Sequence, residues 1–137
     1  MNLDSSAFVA DAELVRALKE RSTPVNCDQD RELFRQGDAP TGVFILLGGT
    51  IVLSMRSVSG ESLMNAPALP GSLLGLPGLI GNAAYSLSAQ ALKGAEVSFV
   101  SREEFTHLML TEPALSVLIL KVLAAEVRTA RLALTNA

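Results

Sequence analysis

The chain has 137 residues, 49% of them hydrophobic and 18% charged, with a formal net charge of −3. That length supports one domain with its own core, and that composition excludes a disordered segment. No dense Lys/Arg run offers an electrostatic footprint for nucleic acid. A single cysteine permits no internal disulfide, in keeping with a reducing cytoplasm. Met1-Asn2-Leu3-Asp4 lacks the basic and apolar regions of a signal peptide. The longest apolar run, 114–125, is too short for a membrane span and is broken by Ser116 and Lys121.

Residues 5–21 carry Phe8, Val9, Leu14, Val15 and Leu18 at helical spacing and predict one amphipathic helix, stopped by Ser22-Thr23-Pro24. From 23 to 100 the texture changes to short extended runs at 25–27, 33–34, 43–47, 51–55, 63–66 and 95–100. They are divided by turn residues such as Gln36-Gly37-Asp38, Gly48-Gly49 and Ser57-Val58-Ser59-Gly60. This spacing predicts a β-sandwich or barrel rather than a βαβ fold. Within it, Gly71, Gly75, Gly78 and Gly81 alternate with Leu73, Leu74, Leu76, Leu79 and Ile80. Such a stretch needs a core, leaves room for one helical turn, and can present backbone N–H groups to an anion. Residues 85–92 alternate and predict a buried strand. The stretch from 71 to 91 contains no acid, base or metal ligand, so its expected role is binding rather than chemistry.

Helices return at Ser101-Arg102-Glu103-Glu104, a capping box that opens a short helix over 102–110. Thr111-Glu112-Pro113 starts a long helix over 112–134. Between 114 and 125 that helix is apolar almost all the way round, which predicts packing on the strands on one side and on a second copy on the other. The expected two-fold interface uses Leu115, Leu118, Ile119, Val122, Leu123, Val127 and Arg131. Arg128 and Arg131, with Glu126 nearby, read as a solvated or dimer-rim face. Cys27 reads as a small hydrophobe and His107 as a solvent-exposed side chain, since one histidine makes no metal constellation. Ser86 and Ser88 have no base near them in sequence. No catalytic residue, metal or cofactor is predicted, and the chain is not expected to be an enzyme.

Specific residues resemble a known family. Leu33-Phe34-Arg35-Gln36-Gly37-Asp38, followed by Val43-Phe44-Ile45-Leu46-Leu47-Gly48-Gly49-Thr50-Ile51-Val52, is similar to the Gln-Gly-Asp turn and strand–Gly–strand hairpin of the cyclic-nucleotide-binding domain. Pro70-Gly71-Ser72-Leu73-Leu74-Gly75 resembles the opening of its phosphate-binding cassette, and Arg102-Glu103-Glu104-Phe105 the start of its short helix. The likeness covers residues 12–134 and is nearest to the catabolite activator / fumarate-nitrate regulator family of bacterial transcription factors. It implies a mainly β fold: a double-stranded β-helix (jelly-roll-like) β-roll with an N-terminal helix and a long C-terminal dimer helix, as one domain over 1–137. In that family a helix-turn-helix domain follows the long helix. This sequence ends at Ala137, so the expectation is no nucleic-acid contact by this chain alone and an output passed to another, unknown protein. A structural dimerisation or docking domain, and the effector domain of a truncated regulator, are the alternative readings.

The resemblance also implies a candidate cassette of Gly75, Leu76, Gly78, Leu79, Ala84, Tyr85, Ser86 and Leu87. Cyclic-nucleotide binders read Gly-Glu-Leu and, further on, Arg-Ala-Ala or Arg-Ser-Ala, the glutamate taking the ribose hydroxyl and the arginine the cyclic phosphate. Aligned without a gap, Gly75 is kept, Leu76 stands at the glutamate and Tyr85 at the arginine, while Ser86 keeps a hydroxyl. The base-contact position of the long helix falls at Ala130 or Arg131. Losing the charge-assisted pair removes roughly 1.5–3 kcal/mol, and a buried unpaired ribose hydroxyl costs another ~1–3 kcal/mol. Together these amount to about a thousandfold or more in affinity. Cyclic AMP and cyclic GMP are therefore not expected to bind in the usual mode. The pocket is expected either to be closed, with Leu76 and Leu87 filling it and Tyr85 over the top, or to hold a different, more apolar effector.

Overall fold

A computed structural model describes residues 5–135, with side chains from 6 to 128. Strands β1 (Thr23–Val25), β2 (Arg31–Phe34), β3 (Gly42–Gly48), β4 (Ile51–Arg56), β5 (Ser62–Ala68), β6 (Leu73–Leu74), β7 (Ser88–Ala91) and β8 (Glu96–Ser101) carry the middle of the chain. They pair antiparallel into two four-stranded sheets, ordered β1-β8-β3-β6 and β2-β7-β4-β5. The period-2 rule sorts their side chains: Ile51, Leu53 and Met55 of β4 are buried, while the residues between them are only half so. In β3 the run Val43–Leu46 is buried on both faces. Phe44 and Leu46 enter a core fed by both sheets, and Val43 and Ile45 enter a second core fed by the helices. This double burial explains an unbroken apolar run without alternation. The result is the jelly-roll-like β-roll with flanking helices.

The N-terminal segment is not one helix. A 3-10 turn over Ser5–Phe8 is separated from α1 (Ala12–Lys19) because Val9 bridges to Ser72 and the Ala10 N–H donates to the Gly71 carbonyl at 3.0 Å. Backbone pairing with the glycine-rich stretch overrides helix propensity there. Asp11 then caps α1 by accepting from the Glu13 N–H at 2.9 Å. The break lets Phe8 enter the first core and Leu14 and Leu18 the second. Two strands also shift: β1 ends at Val25, before Cys27, and β7 begins at Ser88 rather than at Tyr85.

Helix α3 (Arg102–Thr111) is capped by Ser101, whose hydroxyl accepts from the Glu104 N–H at 3.2 Å. Helix α4 (Ala114–Thr135) follows directly. Its inward residues Leu115, Ile119 and Val122 are buried in the second core with Leu76, Leu79, Phe105 and Leu108. These three were expected at a dimer interface, but they belong to the chain's own interior. Leu118 and Leu123 are half-buried at its margin. Val117, Leu120 and Val127 are the exposed apolar residues, at 57%, 58% and 40%. With Ala124, also exposed, they fall at i, i+3, i+7 and i+10 and form one stripe. The side chains of Ala130 and Arg131 lie outside those described.

Candidate functional site

The glycine-rich stretch forms β6 and then a short helix, α2 (Leu76–Gly81), between Gly75 and Asn82. Gly75 has a positive φ of 92°, and a Cβ there would lie 2.9 Å from Tyr85 Cε1. Only glycine allows both the turn and the close approach of the tyrosine ring. Pro77 at the start of α2 suits a first turn. The helix turns Leu76 and Leu79 inward toward α4, where both are buried.

Tyr85 closes the other side. Its main chain is spent on the Gln36-Gly37-Asp38 turn: the Gly37 N–H donates to the Tyr85 carbonyl and the Tyr85 N–H to the Asp38 carbonyl, both at 2.9 Å. That is why the strand starts three residues later. Its hydroxyl donates to the Gly42 carbonyl at 2.8 Å and accepts from the Thr41 N–H at 3.2 Å. Its ring stacks on Phe34 with centroids 4.2 Å apart. Tyr85 is thus pinned at both ends, and its polar atom faces strand β3 rather than the pocket. Beside it, Arg102 donates to the carbonyls of Pro40 (2.9 Å) and Leu79 (3.4 Å), joining the start of α3 to the cassette.

A small niche remains, lined by Phe34, Gly75, Pro77, Gly78, Tyr85, Ser86, Leu87 and Glu126. Its free volume is about 10 Å³, the room of a single water. Of the expected cassette residues, Gly75, Gly78, Tyr85, Ser86 and Leu87 meet there. Leu76 and Leu79 do not, since they face the helical core, and Ala84 is exposed and outside it. Glu126 is the residue that sequence reasoning misplaced. It is not on a solvated rim but 3% exposed. Neither carboxyl oxygen has a hydrogen-bond partner among the described residues. Burial pushes its pKa well above the usual carboxylate range. A signal was available: Leu115, Ile119, Val122 and Glu126 share one helix face at i, i+4, i+7 and i+11. A wider groove of about 350 Å³ separates the N-terminal turn from α4, with Val9, Asp11, Leu118 and Lys121 on its walls.

Among the described residues, no group of three His, Cys, Asp or Glu could hold a metal ion. No helix among the described residues is long and apolar enough to cross a membrane. Cys27 is buried in the first core. His107 is exposed, its Nδ1 2.6 Å from an Arg21 nitrogen.

A β-roll of two four-stranded sheets, a glycine-rich cassette packed beneath a long C-terminal helix, and a short capped helix between them define a cyclic-nucleotide-binding-type regulatory domain. The chain belongs to the cyclic nucleotide-binding domain family, whose model matches residues 24–112. It is 29% identical over 126 residues to the transcriptional activator protein Anr of Pseudomonas protegens, covering 92% of this chain and 50% of that protein. Against the transcriptional activator protein FnrA of Stutzerimonas stutzeri the identity is 27% over the same coverage. The chain spans about half the length of these curated relatives. The catabolite activator protein of Thermus thermophilus superposes with a TM-score of 0.75 at 25% identity, over 91% of this chain and 59% of that one. These relatives are regulators of the catabolite activator / fumarate-nitrate regulator family rather than enzymes.

Proposed function

We propose that this domain is a regulatory module whose cassette does not take cyclic AMP or cyclic GMP in the usual mode. The observation that carries this reading is the pinned Tyr85 at the arginine position, beside a niche of about 10 Å³ with no Lys, Arg or His on its wall among the described residues. A cyclic phosphate there would be desolvated without a guanidinium and would face the Glu126 carboxyl, a loss of several kcal/mol. The exposed stripe of Val117, Leu120, Ala124 and Val127 on α4 supports a homodimer through that helix, with the effector state passed on to another protein. The small volume of the niche also favours a second reading, a dimerisation or docking domain with a permanently closed pocket.

Thermal melts with saturating cyclic AMP and cyclic GMP test the first statement. A ligand at a hundred times its dissociation constant adds about 2.7 kcal/mol and moves the melt by several degrees. Neither nucleotide is expected to move it, and a clear shift with either overturns the reading.

A further inference from the structure

Glu126 is a buried carboxyl without a hydrogen-bond partner among the described residues, and its surroundings suit one kind of visitor. The niche it lines is walled by the stacked rings of Phe34 and Tyr85 and by Ser86. The Glu126 carboxyl and an aromatic pair therefore line the free space, and among the described residues no cationic side chain lines it. Charged groups on the neighbouring elements are turned elsewhere. Arg31 donates to the Asn26 carbonyl, Arg35 pairs with Glu32 at 2.6 Å, Arg102 is spent on Pro40 and Leu79, and Arg128 is exposed. Among the described residues Tyr85 is the one other ionisable side chain on the wall, and its hydroxyl is held by Gly42 and Thr41.

We propose that this cassette takes the cationic headgroup of a small primary amine, with the Glu126 carboxylate as counter-charge and the Phe34–Tyr85 pair as its wall. The assignment rests on the reading above that this domain is a regulatory module with an effector state. An alkylammonium supplies the donors that the two orphaned oxygens lack, in a charge-assisted hydrogen bond, beside the wall formed by Phe34 and Tyr85. Size selects the class: about 10 Å³ admits a group the size of a water, which an ammonium head matches and a quaternary one does not. Burial favours the protonated acid and a bound cation favours the carboxylate, so cation entry and proton loss are linked, and binding strengthens with rising pH until the amine itself deprotonates. Because Glu126 sits on α4, occupancy is felt directly by the long helix.

The test uses the whole chain at pH 7.5 with methylammonium chloride, and tetramethylammonium chloride at equal ionic strength as control. Methylammonium is expected to raise the melting temperature saturably, by several degrees near a hundredfold excess over its dissociation constant, and the control is not. The carboxyl ¹³C signal of Glu126 should titrate at lower pH in methylammonium. In Glu126→Gln, which keeps the side-chain shape, the two salts should act alike. Equal responses of the wild-type chain to both salts, or a methylammonium gain retained in Glu126→Gln, overturns the proposal while leaving the reading on cyclic nucleotides intact. Protection by cyclic AMP overturns both.

Discussion

The two faces of α4 are built on opposite rules. The inward face, Leu115, Ile119, Val122 and Glu126, packs three aliphatics into the core and ends on a buried acid. The outward face, Val117, Leu120, Ala124 and Val127, is apolar and open. A helix that served only to cap the roll would have a wholly apolar inner face and a polar outer one. Here an acid is inside and aliphatics are outside. The difference teaches that stability is concentrated in the first two turns of the inner face, whereas the acid and the outer stripe are costs to the isolated fold. Such costs are typical of surfaces that meet something else.

Truncating the inner face should have the largest effect. Ile119→Ala removes a fully buried side chain and should cost about 2–5 kcal/mol, read by urea unfolding; a loss no larger than that of an exposed residue would erase the distinction between the faces. The acid gives the next effect, with a defined sign. Its folded-state pKa is raised, so its contribution is fully present below its ordinary value near 4.3 and is lost as pH rises through the raised one, at up to ~1.4 kcal/mol per pH unit. Glu126→Gln should flatten that slope, and the mutant should gain on the wild-type chain from acid to neutral pH. An unchanged slope would mean that Glu126 finds a partner in solution. Tyr85→Phe should cost about 1–2 kcal/mol, because the Gly42 carbonyl and the Thr41 N–H lose the same hydroxyl. The outer face should respond least: Leu120→Ala should change monomer stability by no more than about 0.5 kcal/mol. Leu120→Glu, followed by sedimentation velocity, should shift a dimer to monomers.

Much of the roll is legible in the residues because its turns have backbone requirements. Gly37 and Gly49 sit at positive φ of 96° and 79°, and a Cβ at Gly49 would lie 2.7 Å from Ala95 Cα, so Gln36-Gly37-Asp38 and Gly48-Gly49 mark real corners. Ser101 caps α3 through a side chain that sequence spacing reveals. Less is visible where long-range pairing competes with local pattern. Ala10 and Val9 leave the helix to join Gly71 and Ser72, and the Tyr85 backbone leaves its strand for the Gln36–Asp38 turn. Within the site, alignment names the positions but not their directions. Leu76 and Leu79 point into the helical core because α2 supplies one more turn than a loop would. Glu126 was hidden by its neighbours: after a run apolar on all sides, the first acid reads as the start of a wet surface, and only its helical phase places it inside.

The attachment of Tyr85 has a consequence for substitution as well as for binding. Replacing it by arginine in one step would leave the Thr41 amide and the Gly42 carbonyl without their shared hydroxyl and take the ring from Phe34. Nearby, Leu76 is committed to the hydrophobic interior and offers a replacement side chain no polar partner. Stability would fall before any phosphate could be held. The hydroxyl's two backbone partners and the stacked ring therefore act as a lock: any single non-aromatic replacement of Tyr85 gives up contacts at three separate places in the roll.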